Sequence, residues 1–262
     1  MPLTTPGAAA PSQFETILFH KSGPVATLTF NRPEKRNALT VQVFLELLDA
    51  LQRVEDDNDI RVLVLAGAGP AFCAGRDFSE ARAADAKSAA QYLSLNFQGR
   101  DRLRRLSKPV ICRVHGPASG GGCVIATECC DITIASTSAR FSIREVQAGS
   151  VPGMPLFALG RARALGMVLT GDWISGEQAE QWGLVYKSVP DDQLDATVAR
   201  YAEQLAAQPT QSMAYTKKAM CYLLDLAGHT QTEQYLAECR RLVQQSPDRV
   251  EALQSFLDKT RR

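Results

Sequence analysis

Apolar positions along the chain follow two rhythms, every second residue in some stretches and every third or fourth in others. Val25-Ala-Thr-Leu-Thr-Phe30 alternates as a strand and runs into Asn31-Arg-Pro33, a turn. Thr40 then caps a helix whose apolar residues Val43, Phe44, Leu47, Leu48 and Leu51 recur at helical spacing. Arg61-Val-Leu-Val-Leu-Ala66 is almost wholly apolar, which predicts a strand buried on both faces, followed by a loop over 67–77. A helix is predicted over Ser88–Leu106, with Pro109 stopping it. An apolar strand starting at Val110 then leads through a turn and Gly120-Gly-Gly122 into an apolar helix. A strand at Ile132–Ala135 and a helix over Leu159–Leu169 come next. Ser175 with Gln178 forms a capping box that opens a short helix ending at Gly183. After a strand at Leu184–Val189 the pattern is helical only, broken at Pro209, Gly228 and Pro247. This order predicts an α/β (α+β) chain: a disordered tail over 1–12, a strand–helix core over 13–190 and a helical region over 191–262.

With 262 residues, 45% of them hydrophobic, the chain is long enough to bury a large core. A formal net charge of +1 gives no electrostatic case for nucleic acid or an acidic membrane surface. No apolar run approaches the roughly 20 residues that span a bilayer. Met1–Ser12 is rich in small residues and proline, with no basic stretch ahead of an apolar core, unlike a signal peptide. Seven cysteines without a Cys-x-x-Cys pair argue against a disulfide framework and a zinc site. Buried reduced thiols in a cytoplasmic protein are expected instead. His115, ending a strand before Gly116, is expected to make a structural hydrogen bond.

Candidate chemistry begins at the glycine triplet, which leaves backbone N–H groups uncovered at the start of a helix. Such a place suits a negative oxygen, either a phosphate or an oxyanion formed during reaction. Gly67-x-Gly69 fails as a dinucleotide fingerprint, because its third glycine would fall at Phe72 and no helix starts there. Ser119 fails as a hydrolase elbow, because Pro117 stands where a glycine is needed. Two loops remain, each after a buried strand and each ending in exposed donors: Ala71-Phe-Cys-Ala-Gly-Arg-Asp77 and Ser119-Gly-Gly-Gly-Cys123. Spacing alone leaves open whether they converge.

Asn31-Arg-Pro-Glu-Lys-Arg-Asn-Ala-Leu39, the 71–77 loop, Lys108-Pro-Val110 and the Gly116–Gly122 run resemble the crotonase (enoyl-CoA hydratase/isomerase) family. Leu169-Thr-Gly-Asp172, 179–185 and Ser255-Phe-Leu-Asp-Lys259 extend the resemblance over nearly the whole chain. It implies a spiral of ββα turns with a C-terminal helical trimerisation region, assembled as a homotrimer or a dimer of trimers. It implies an acyl-CoA thioester substrate, with no metal and no cofactor beyond the coenzyme A moiety of that substrate. It implies oxyanion donors at the N–H groups of Arg76 and Gly121, and coenzyme A contacts at Lys35, Arg36 and Ala74. Phe256 and Lys259 would reach the nucleotide from a neighbouring subunit.

The carboxylates depart from the family pattern. Family hydratases hold a water between two glutamates; the second matches Glu145, while the first matches Val124, or Ile125 if the gap is placed differently. The helix also carries one more residue before Asp131 than most relatives have. Glu128, one α-helical turn beyond Val124, faces the same side and either substitutes or serves a structural contact near Asp131. Glu145 is the expected proton shuttle, and a single glutamate beside an oxyanion hole suits double-bond isomerisation. Hydration, hydrolysis of an acyl-CoA and acyl-CoA binding without catalysis are the competing expectations. The acyl pocket is expected to draw its walls from 78–100 and 151–157.

Overall fold

The computed structural model describes residues 14–152, 156–244, 253–255 and 257–258. The expected tail at 1–12, the break at Pro247, and Phe256 and Lys259 lie outside the described residues.

A six-stranded sheet runs in the order β1 (Ile17–Ser22), β2 (Val25–Phe30), β3 (Val62–Gly67), β4 (Val110–Val114), β6 (Ile132–Ser136), β9 (Lys187–Val189). Within it only the β1–β2 pair is antiparallel. A smaller sheet joins β5 (Pro117–Ser119), β7 (Arg140–Ser142) and β8 (Ile174–Ser175). The helices are α1 (Val41–Asp56), α2 (Phe78–Ala83), α3 (Ala86–Arg105), α4 (Gly121–Val124), α5 (Leu156–Thr170), α6 (Gly176–Trp182), α7 (Leu194–Ala206), α8 (Thr210–Leu226) and α9 (His229–Gln244).

One unit repeats along the chain: a strand in the large sheet, a short segment in the small ladder, then a helix or turn. β3 is followed by residues 73–76, whose bridges Cys73–Ala118 and Leu39–Arg76 extend the small ladder, and then by α2 and α3. β4 leads into β5 and α4, and β6 leads into β7 and the turn carrying Glu145.

The all-apolar strand behaves as its composition demands. Every residue of β3 is buried. Leu63 and Leu65 face the cluster under α1 and α3, whereas Val62 and Val64 face a second cluster with Val198 and Ala202 of α7. α7 therefore covers the far face of the sheet. In α1, Thr40 accepts from Val43 N at 3.2 Å, and Val43, Phe44, Leu47 and Leu51 are buried while Leu48 is half-buried.

Several elements differ from the sequence pattern for local reasons. β1 buries only Ile17, so an edge strand left no alternation to read. α2 is a single short helix started by Asp77, which accepts from Ser79 N and Glu80 N. Leu184 and Val185 are buried where the chain leaves α6, so that apolar run fills core before the strand begins at Lys187. Gly160, at φ 67°, breaks the regular geometry of α5.

The helix after the glycine triplet makes only one α-turn before widening into a π-helical segment, Ile125–Cys129. A π turn takes up an inserted residue without displacing the residues beyond it, and the extra residue expected from the family resemblance falls in this helix. Thr127 Oγ1 donates to Cys123 O at 3.0 Å and Thr133 Oγ1 to Ala126 O, engaging carbonyls that α-geometry would have used itself. His115 lies between Gly69 O, 2.7 Å from Nε2, and Arg113 Nη1, 2.8 Å from Nδ1. All seven cysteines are free, and Cys73, Cys112, Cys123, Cys129 and Cys221 are buried. Among the described residues no helix is long and apolar enough to cross a membrane.

Lys108 shows how the core is closed at one end. Buried, it donates through Nζ to Val54 O and, at 2.5 Å, to Asp57 O at the C-terminus of α1. Lys108→Met leaves those carbonyls without their donor and is expected to lower stability by about 1–3 kcal/mol in urea denaturation.

Candidate functional site

Hydrogen bonds of the short ladder bring the chemistry-bearing loops together. Ser119 N donates to Cys73 O at 2.9 Å, and Phe72 N and Cys73 N donate to Pro117 O at 3.1 and 3.2 Å. The 71–77 loop therefore lies along β5. Gly75, at φ 83°, approaches so closely that a Cβ there would stand 2.7 Å from Ser119 O and 3.2 Å from Gly121 N. The two loops do converge, with the peptide ahead of Arg76 against that of Gly121.

On its other edge β5 pairs with β7, and Gly120 N donates to Ser142 O at 2.8 Å. Three residues past β7 comes Glu145. Gly120 takes φ 53° and ψ −126°, a conformation essentially reserved for glycine. A Cβ on it would lie 2.9 Å from Glu145 Oε1. Arg76, Gly121 and Glu145, distant in sequence, thus meet around the glycine triplet.

Asn37 holds the first loop from behind. Buried at φ 58°, it directs Nδ2 to Ala68 O and Ala71 O, both at 2.8 Å, while Oδ1 accepts from Arg32 N at 2.9 Å. Arg32 also pairs with Asp77 at 3.1 Å, clamping the loop at its far end. Lys35 and Arg36 are exposed on the adjoining turn, and Ala74 N donates to Arg36 O at 2.9 Å, so these three sit together beside the same loop. The Arg76 guanidinium lies 4.3 Å from the ring centre of Tyr92 on α3. Cys73 is no nucleophile: burial pushes its thiol up to about 12.

Glu145 begins a tight turn, with Ala148 N and Ser150 N donating to its carbonyl at 3.1 and 2.8 Å. Ahead of it, buried Ser142 Oγ donates to Gly171 O at 2.9 Å, and Arg144 Nε donates to Gln147 Oε1 at 3.0 Å. The carboxylate itself is enclosed, and its Oε2 has no hydrogen-bond partner among the described residues. Burial raises its proton affinity; its own peptide N–H, that of Arg144, and the charges of Arg240 and Arg100 pull the other way. Val124, 2% exposed, and Ile125 are core residues that move no proton. From Ile125 the chain is π-helical, and Glu128 in that segment is half-buried.

A cavity of about 340 Å³ lies between α3 and α9, lined by Leu93, Phe97 and Arg100 on one side and Ala237 and Arg240 on the other. Its two arginines also favour the ionised form of Glu145. Of the segments expected to wall the acyl pocket, 78–100 lines this cavity through Leu93, Phe97 and Arg100, and 153–155 lie outside the described residues. Sequence reasoning missed the α9 wall and the role of Asn37. The one available signal for Asn37 was its tolerance of left-handed backbone next to a turn.

The family model described as Enoyl-CoA hydratase/isomerase matches residues 20–262. The chain is 37% identical over 256 residues to the 1,2-epoxyphenylacetyl-CoA isomerase of Escherichia coli, covering 94% of this chain and 96% of that one. It is 34% identical over 254 residues to a probable enoyl-CoA hydratase of Mycobacterium bovis, with coverage of 94% and 96%. Among solved structures, an enoyl-CoA hydratase/isomerase from Xanthobacter autotrophicus Py2 superposes with a TM-score of 0.87 at 29% identity, covering 94% and 97% of the two chains.

The packing around Gly120 can be tested from both sides. Gly120→Ala forces a side chain into left-handed backbone and against Glu145, and is expected to cost about 1–3 kcal/mol in urea denaturation. Glu145→Gln is expected to stabilise the protein at neutral pH. A carboxyl whose folded proton affinity is raised holds its proton longer folded than unfolded, so stability falls as pH climbs past the unfolded pKa of about 4.3. The variant escapes that loss, and melting curves should converge as pH is lowered towards 4.

Proposed function

The chain belongs to the enoyl-CoA hydratase/isomerase family, and on that premise we propose that it shifts the double bond of an enoyl-CoA thioester with Glu145 as its one proton shuttle. The observation that carries this reading is the enclosed carboxylate with an unpartnered Oε2, packed on Gly120 where the two loops meet. A carboxylate kept from water binds a proton more readily, which suits an acid–base group near neutral pH. The N–H groups of Arg76 and Gly121 are assigned to the thioester oxygen. Their donors stabilise the negative charge that develops there, each contributing roughly 3–4 kcal/mol in sites of this kind.

In the proposed cycle Glu145 removes a proton from the carbon next to the thioester, and the electron pair passes to the oxygen as an enolate. The pair then returns to form the conjugated double bond, while the original double bond takes the proton from Glu145 at its far carbon. No other reactant is consumed. Val124 is the reason to favour this over hydration, because no second carboxylate stands there to share a water. That a 37% identical relative is described as an isomerase supports the same class. Lys35, Arg36 and Ala74 are assigned to coenzyme A, and the cavity between α3 and α9 to the acyl chain.

The exposed apolar side chains Tyr215, Met220, Tyr222 and Leu223 on α8 and Tyr235 on α9 are assigned to contacts between copies of the chain. Light scattering is expected to return three or six chain masses; a monomer at micromolar concentration rejects that assignment.

Purified protein mixed with a 3-enoyl-CoA should show growing absorbance of the conjugated thioester. Glu145→Gln should slow it by about a hundred- to ten-thousand-fold. Loss of absorbance from crotonyl-CoA instead would establish hydration, and release of free thiol would establish hydrolysis. CoA esters that bind without any reaction would leave a binding protein; each of these results sinks the isomerase assignment.

A further inference from the structure

Arg240 of α9 reaches the loop that follows Glu145. Its Nε donates to Val151 O at 2.8 Å. Val151 comes directly after Ser150, whose N–H closes the turn that begins with Glu145. One guanidinium on α9 thus grips the loop immediately behind the proposed shuttle, and the same side chain lines the cavity across from Arg100.

Charged and titratable groups reach Glu145 from every element packed around it. Arg100 comes from α3 and Arg240 from α9, both positive and both favouring its ionised form. Cys123 of α4 faces it as a thiol that burial keeps protonated, and Glu128 of the π turn contributes a negative charge to the same neighbourhood. Arg144 lies on its own turn, 5.9 Å from the Trp173 ring centre and bonded to Gln147. Arg100 belongs to a helix fixed in the core beside α1. Arg240 belongs to the helical run beyond the sheet, so its charge arrives only when α9 is docked.

We propose that Arg240 is a positioning residue for the proton shuttle: docking of α9 straps the Val151 loop directly behind Glu145 and brings a fixed positive charge to the wall of the cavity. This rests on the reading of Glu145 as the base. A carboxylate held away from water loses its charge readily unless nearby positive charge offsets the lost hydration. The strap couples that electrostatic support to the docking of α9.

The test is the pH profile of kcat for Arg240→Met, Arg240→Gln and Arg240→Lys, alongside the infrared carboxyl band that Glu145→Gln removes. Met and Gln should move the acidic limb to higher pH, so that the rate drops several-fold at neutral pH and recovers in alkaline buffer. The carboxyl band should titrate upwards in parallel. Lys, which keeps the charge, should return both towards wild type. A uniform loss of rate at all pH values, with the band unmoved, overturns the proposal. If wild-type protein isomerises nothing yet the band still shifts in Met and Gln, the shuttle reading falls while the hold of Arg240 on the carboxylate stands.

Discussion

Backbone passes so close to backbone around the glycine triplet that no Cβ fits between the segments. A Cβ at Gly122 would come 2.4 Å from Cys73 O, and those at Gly75 and Gly120 would press on Ser119 O and Glu145. This steric constraint is the one that the remainder of the structure serves. β3 and β4 are buried almost throughout and deliver the loops at fixed height. Asn37 and the Arg32–Asp77 pair stop the first loop from relaxing outwards. Ser142 and Gln147 tie the third segment to the end of α5. The crossing is thus made of closely opposed peptides, with Glu145, Cys73 and Leu39 packed against it.

The same closeness creates an electrostatic problem. A glutamate pressed against Gly120 is cut off from water; its own peptide N–H, that of Arg144 and the charges of Arg240 and Arg100 offset part of this, and Oε2 is left without a hydrogen bond among the described residues. An ordinary structural carboxylate in this fold is treated differently. Asp77 is also desolvated, yet Ser79, Glu80 and Arg32 surround it with donors and keep it below the usual range. The two buried carboxylates therefore differ in how fully their oxygens are satisfied, and it is the unsatisfied kind that marks a candidate functional site.

Much of this was legible in the residues. Periodicity located α1, β3, β6 and α6 because each buries one clean face or two. Thr40 and Ser175 cap α1 and α6 as their chemistry predicts. The small ladder was not legible: β5, β7 and β8 are two or three residues long, too short for any rhythm, and they form only because neighbouring turns of the spiral supply partners. Loop convergence depends on that ladder, so spacing alone left it open. The π turn was visible only as a misfit in length, since one added residue changes no local propensity. Arg240 carried no signal at all. Its importance comes from where α9 comes to rest, and an arginine on a polar helix looks like any other.

Because each turn of the spiral lays one segment beside the last, the pieces of the site arrive in a fixed order during synthesis. The Asn37 hub and the 71–77 loop emerge first, and the glycine triplet then docks onto them through β5. The turn bearing Glu145 comes last of these and needs β7 to anchor it. A nascent chain therefore closes the glycine crossing before Glu145 reaches it. Arg240 is still to come when the carboxylate first folds in, so for that interval the site is assembled but electrostatically unfinished.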